Sequence, residues 1–137
     1  MGDSSHPTLL YQAQGAAMAV EDGGVLGILL GRLSCLPRFS PSDVSSVLKL
    51  FERLRKHRTT TNVRGAIQNQ ELYHMADGPG QAKRDKALAA VDWVQPCIWN
   101  WGDPVYMNEM LGIDCMTDAS KSFDIWLQER RHSRSLL

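Results

Sequence analysis

Gly2-Asp3-Ser4-Ser5-His6-Pro7 opens the chain, and Gln14-Gly15-Ala16-Ala17-Met18-Ala19-Val20-Glu21-Asp22 follows a few residues later. The first segment has the composition of a tight polar turn. Residues 2 to 14 carry neither a helical nor a strand period and read as a loop. In the second segment a glycine opens a run of small residues, which predicts a helix from about residue 15 to 33. The two segments are complementary in charge. Asp3 offers a carboxylate, and the helix start offers unpaired N–H groups and about half a positive charge. One ligand could meet both.

Outward from this stretch the chain reads as helix after helix. Glycines at 23, 24, 27 and 31 each cost a helix roughly 1 kcal/mol against alanine, about 3–4 kcal/mol that packing must offset. Gly23, Gly27 and Gly31 share one face, which predicts close packing against a sheet or another helix. Residues 34 to 42 form a linker with Pro37 and Pro41. Ser40 is a good N-cap, Pro41 suits the first helical position and Asp43 the first turn. Val44, Val47, Leu48, Phe51 and Leu54 then repeat with a helical period. Lys49, Glu52, Arg53, Arg55 and Lys56 are expected to face outward. The pattern continues through Arg64 and Ile67 to His74, with a kink expected at Thr59-Thr60-Thr61. Asp77-Gly78-Pro79-Gly80 is a stop signal. A short helix over 81–92 and terminal helices over 107–111 and 123–131 complete the reading. Trp93, Trp99, Trp101 and Tyr106 suit packing in a core or a domain interface. With no strand and no repeat in view, the chain by itself is mainly α.

Bulk properties narrow the function. The 137 residues are the size of one domain, 43% are hydrophobic, and 15 Lys+Arg balance 15 Asp+Glu. A neutral chain gives no footprint for nucleic acid, and Arg130, Arg131, His132 and Arg134 read as a solvated end. Cys35, Cys97 and Cys115 are odd in number and far apart, which fits a reducing compartment such as the cytoplasm. The apolar stretch 25–30 is interrupted by Gly27 and falls far short of the ~20 residues that span a bilayer. Glu71-x-x-His74 and Glu129-x-x-His132, with Glu21 and Glu52 or Glu109, have the spacing of a di-iron helical bundle. The arginines around the second motif oppose a metal cation, so no metal site is assigned.

The Gly2-Asp3…His6-Pro7…Gln14-Gly15-Ala16-Ala17-Met18-Ala19-x-Glu21-Asp22 order resembles the second flavin-binding motif of the FAD-dependent monooxygenases of the aromatic hydroxylase class, the salicylate hydroxylase-like enzymes. Arg55-Lys56-His57-Arg58, the His74…Asp77-Gly78-Pro79 turn, the Trp101-to-Pro104 turn and Gly112-Ile113-Asp114 extend the likeness. The resemblance implies FAD as cofactor, NAD(P)H as co-substrate, and hydroxylation of an aromatic or related small molecule with O2. It implies cofactor-binding roles for Gly2, Asp3, Pro7, Gly15, Ala16 and Ala17. Asp3 would accept hydrogen bonds from the ribityl hydroxyls. Gly15 would let the backbone approach the ring, and the helix end would stabilise the anionic reduced flavin.

Two departures from the pattern stand out. Leu10 occupies a position where the family usually has proline, and a lost prolyl ring loosens the loop. No Gly-x-Gly-x-x-Gly occurs in the sequence, and that fingerprint holds the ADP half of FAD. The expectation is therefore a C-terminal helical fragment of an α/β FAD-dependent hydroxylase fold without the N-terminal Rossmann part. Residues 1–33 would carry the second FAD-binding motif and 34–137 the C-terminal helical region. The isolated chain is expected to bind FAD weakly or not at all. The alternative is a non-catalytic helical accessory or interaction protein of the same descent, with the glycine-faced helix as its docking surface for a protein partner.

Overall fold

The computed structural model describes residues 1–100 and 102–135, without the side chains of residues 134 and 135. Trp101 and the Arg134 side chain therefore lie outside it. Two 3-10 turns, Gly2–Ser4 and Leu10–Gln12, precede five helices: α1 (Gly15–Ser34), α2 (Pro41–Tyr73), α3 (Pro79–Ala89), α4 (Pro104–Leu111) and α5 (Cys115–Ser135). There is no strand among the described residues.

α1 keeps its glycines because its buried face is strongly apolar. Val25, Leu29 and Leu33 recur every four residues and are almost completely buried. They meet Val47 and Leu50 of α2 and Ala119, Phe123 and Trp126 of α5 in one core. The opposite face of α1 is open. A Cβ built at Gly23, Gly27 or Gly31 meets nothing within 4 Å, and all three glycines are exposed. The packing expected against that face is therefore absent among the described residues, because α2 and α5 both pack on the other side.

α2 starts where its caps place it. The Ser40 hydroxyl accepts from the Asp43 N–H at 3.3 Å, and the Asp43 carboxylate accepts from the Ser40 N–H at 2.8 Å. Arg130 of α5 closes on the same carboxylate at 2.7 Å, and this guanidinium holds Asp43 far below the ordinary carboxylate range. α2 runs unbroken through the threonine run. Thr59 and Thr61 spend their hydroxyls on the carbonyls of Arg55 and His57, at 3.1 and 3.0 Å. That back-bonding lets a β-branched run sit inside the helix. α5 is much longer than its apolar period suggested. Trp126 Nε1 donates to Ser46 at 2.9 Å, and the Arg32 guanidinium of α1 pairs with Asp124 and lies 4.7 Å over the Phe123 ring.

The aromatic segment does not form a core. Trp93 is half exposed, Trp99 is partly buried, and Ile98 is 82% exposed. Among the described aromatic residues there, Tyr106 reaches inward, to the loop that precedes α1.

Candidate functional site

The loop of residues 2–14 is held at two points. At the first, Gly2 takes φ +60°, a conformation suited to glycine. A Cβ there would stand 3.4 Å from the Cβ of Ala19, so the turn lies close on α1. The Gly2 N–H donates to Asp22 Oδ2 at 3.1 Å, and His6 Nε2 donates to the same oxygen at 2.6 Å. Arg55 Nε of α2 holds the other carboxylate oxygen at 2.8 Å. The same guanidinium reaches Glu21 at 2.7 Å and the Met18 carbonyl at 3.3 Å. Arg58, one turn on, binds Glu21 through two nitrogens, at 2.5 and 2.7 Å, and the Met110 carbonyl at 2.7 Å. Asp22 and Arg55 are 1% and 3% exposed.

Burial would push both carboxylates upward. Arg58 and Arg55 outweigh it at Glu21, and His6, Arg55 and the Gly2 amide outweigh it at Asp22, so both lie below their ordinary values. Two acids and two guanidiniums thus form a neutral, mutually hydrogen-bonded cluster, the arrangement in which buried charge is tolerable. Arg55 was expected on the outer face of α2. It is instead buried, because Glu21 and Asp22 supply the counter-charge that an apolar core lacks.

At the second point, Gln12 is buried and exchanges hydrogen bonds with the Tyr106 hydroxyl, at 2.6 and 2.8 Å. Gly65 of α2 makes room for both: a Cβ at 65 would run into the Gln12 amide and the Tyr106 oxygen. Asn69 donates to the Tyr11 carbonyl at 3.0 Å, and the Tyr11 hydroxyl is 2.6 Å from His74 Nε2. Leu10 is 81% exposed and takes no part. The loop is therefore anchored by Tyr11 and Gln12 rather than by a ring at position 10.

Of the residues singled out from the sequence, Gly2 belongs to the first anchor, Asp3 and Pro7 to the loop between the two, and Gly15, Ala16 and Ala17 to the start of α1. Asp3 and Pro7 are exposed. Gly15 begins α1 and packs on Thr8, 3.2 Å from an ideal Cβ to the methyl. Ala16 and Ala17 are exposed at the helix start. Gln14, the N-cap, makes no side-chain capping bond, so no capping side chain covers the first-turn amides. Gly2 packs on Ala19 and bonds Asp22 in the first half of α1, the helix that Gly15 begins. Glu21, Asp22, Arg55, Arg58, Gln12 and Gly65 support this part of the molecule. The resemblance implies a cofactor-binding role for none of them, although Glu21-Asp22 and Arg55 to Arg58 stand in stretches that carry it. A mid-helix glycine at 65 was the available signal of a close approach. Among the described residues no three His, Cys, Asp or Glu side chains group to hold a metal, and no helix is long and apolar enough to cross a membrane.

A glycine turn is thus clamped to a small-residue helix whose start carries no side-chain cap. The chain's relatives place it in a class. FAD-dependent monooxygenase OpS4 of Beauveria bassiana (strain ARSEF 2860) is 38% identical over 109 residues, 73% of this chain and 24% of the relative. 3-Hydroxybenzoate 6-hydroxylase of Polaromonas naphthalenivorans (strain CJ2) is 38% identical over 112 residues, 75% of this chain and 26% of the relative. 3-Amino-4-hydroxybenzoate 2-monooxygenase PtmB3 of Streptomyces platensis is 32% identical, covering 74% of this chain and 24% of the relative. By sequence the chain belongs with the FAD-dependent monooxygenases of the aromatic hydroxylase class. It spans about a quarter of the length of these curated relatives. No family model matches it.

Proposed function

We propose that this chain supplies the ribityl and isoalloxazine side of an FAD site in a monooxygenase that hydroxylates an aromatic or related small molecule. The observation that carries the reading is the Gly2–Ser4 turn clamped on the first half of α1, whose start is uncapped, in a chain whose relatives are named FAD-dependent monooxygenases. The residues fit the group. Exposed Asp3 can accept from the ribityl hydroxyls, and Ala16 and Ala17 leave the helix start unobstructed. The amides of residues 15 to 17 can stabilise negative charge on a reduced ring. FAD, when bound, supplies the oxygen chemistry; the chain binds, orients and tunes it. Pro7 fixes the backbone of the exposed span between the two anchors. NAD(P)H would be the reductant, and the hydroxybenzoates named for the relatives indicate the substrate class.

Residues 1–33 are the cofactor-facing part in this reading, and 34–137 are the helical platform that holds it. The open glycine face of α1 would seat the dinucleotide-binding half, which carries the ADP end of FAD. Alone, the chain would hold FAD weakly. Titrating FAD into the 15N-labelled chain tests this. Amide shifts should centre on Asp3 and on Gly15, Ala16 and Ala17, and Asp3→Ala should weaken binding. Shifts confined to other elements, or none at saturating FAD, would defeat the reading.

The glycine face also favours a second reading: a non-catalytic interaction protein that uses this face to dock on a partner. A chain with no flavin-induced shifts would fit it.

A further inference from the structure

The local hydrogen bonds of the cofactor turn lie near its surface: Ser5 N–H, His6 N–H and the Ser5 hydroxyl donate to the Gly2 carbonyl at 2.9, 3.0 and 3.0 Å, and the Ser4 hydroxyl donates to the Met1 carbonyl at 2.7 Å. Asp3 and Ser4 are exposed. The turn's buried hydrogen bonds to α1 run through one carboxylate. Asp22 Oδ2 accepts from Gly2 N–H and from His6 Nε2, while Oδ1 faces Arg55 Nε on α2. A carboxylate rotating about its last torsion could satisfy one of these partners at the expense of another. The Arg55 fork prevents that, because Nε is on Asp22 while Nη2 is on Glu21 and the Met18 carbonyl.

We propose that Arg55 and Asp22 are positioning residues for the cofactor turn. Arg55 orients the Asp22 carboxylate so that it grips Gly2 and His6 together, and thereby sets where Asp3 stands relative to the start of α1. The importance of the turn rests on the FAD reading above; the linkage itself does not.

The His6 ring reports the grip. Asp22 accepts only, so the ring proton sits on Nε2. Nδ1 is buried without a hydrogen-bond partner, and there a bare nitrogen costs less than an unpaired N–H. The charged groups lining the cavity of about 400 Å³ beside the ring are Asp22 of α1 and Glu52, Arg55 and Lys56 of α2. The proton on His6 Nε2 is therefore the one that reports the Asp22 contact.

The test needs no flavin. The 15N-labelled full chain is compared with Arg55→Gln, Arg55→Lys and Arg58→Gln by histidine ring NMR and amide hydrogen exchange. In the parent, His6 shows the Nε2–H tautomer, and the Ser5 and His6 amides are protected. Arg55→Gln should mix the tautomers and cut that protection by about tenfold or more, while Val25, Leu29 and Val47 amides stay within about twofold. Arg55→Lys, which keeps the charge but loses the fork, should restore the tautomer only in part. Arg58→Gln touches Glu21 but not Asp22, and should leave His6 as in the parent. If Arg55→Gln unfolds the chain, Asp22→Asn replaces it: its amide cannot accept through both atoms, so the same two signals should fall. Parent-like tautomer and protection in Arg55→Gln or in Asp22→Asn would overturn the proposal. So would a mixed tautomer in the parent. A loosened turn with no flavin-induced shifts in the parent would defeat the FAD reading and leave the positioning role standing.

Discussion

Ala13 is the one residue other than glycine with a positive φ among the described residues, 51°. An L side chain there is strained by about 1–2 kcal/mol, and part of that is regained from the smaller entropy of the unfolded chain. Ala13→Gly should therefore raise stability by a net of about 0.5–1 kcal/mol, read from urea unfolding. The strain sits directly before α1, between the Gln12 anchor and the helix start, where a compressed turn is needed to aim the helix. At this scale the sequence was only partly legible. Asp3, Pro7 and Gly15 stood out because turn and helix-start chemistry is local. Arg55 did not, since a period of apolar residues assigns every charge to the outside. Only the meeting of α1 with α2 brings Glu21 and Asp22 opposite Arg55 and Arg58. Gln12 was equally silent, because its partner Tyr106 is 94 residues away.

The helices show which signals are strong. α1 and α2 begin within a residue of where glycine, Ser40 and Pro41 place them. α5 begins well before its expected start because Asp114 caps it, accepting from the Thr117 N–H at 3.0 Å, and Ala119 and Phe123 seat its first turns in the core. The Asp43 capping box joins α2 to α5 through Arg130, and its carboxyl is depressed below the ordinary 3.8 chiefly by that guanidinium. A carboxyl lowered on folding stabilises the fold above its unfolded value and loses that contribution as pH falls toward the folded one. Asp43→Asn should cost about 1–2 kcal/mol at neutral pH. The gap to the parent should close as pH falls below about 4; a gap constant with pH would disprove the assignment. Within α2, Gly65 has a different duty. Helix propensity alone would favour alanine by about 1 kcal/mol. A methyl at 65 collides with the Gln12–Tyr106 pair, so Gly65→Ala should destabilise by about 1–3 kcal/mol. Protection of the Ala13 amide, bonded to the Leu10 carbonyl at 3.0 Å, should fall with it.

At the scale of the whole molecule, the glycine face of α1 separates the isolated chain from the chain in its proposed setting. Three exposed glycines on one helix face, with nothing within 4 Å of an added Cβ, weaken a helix that packing on one side must then hold. Helix period and glycine spacing made the face legible in the sequence. A packing partner for it was not legible, because α2 and α5, the other long helices among the described residues, both pack on the other side of α1. If the face is simply solvent-facing, changing Gly23, Gly27 and Gly31 together to alanine should stabilise the chain by about 3 kcal/mol under every condition, from propensity alone. If it seats the dinucleotide-binding half of a monooxygenase, the same triple variant should still stabilise the isolated chain but impair assembly. Three methyl groups would then hold two backbones apart where close approach is needed. The measurement replaces the matching quarter of the 3-hydroxybenzoate 6-hydroxylase relative with this chain, with and without the three alanines, and follows FAD retained through gel filtration. Retention by the parent chimera and loss in the triple variant is the expected result. Equal retention by both would leave the face with no role in cofactor binding.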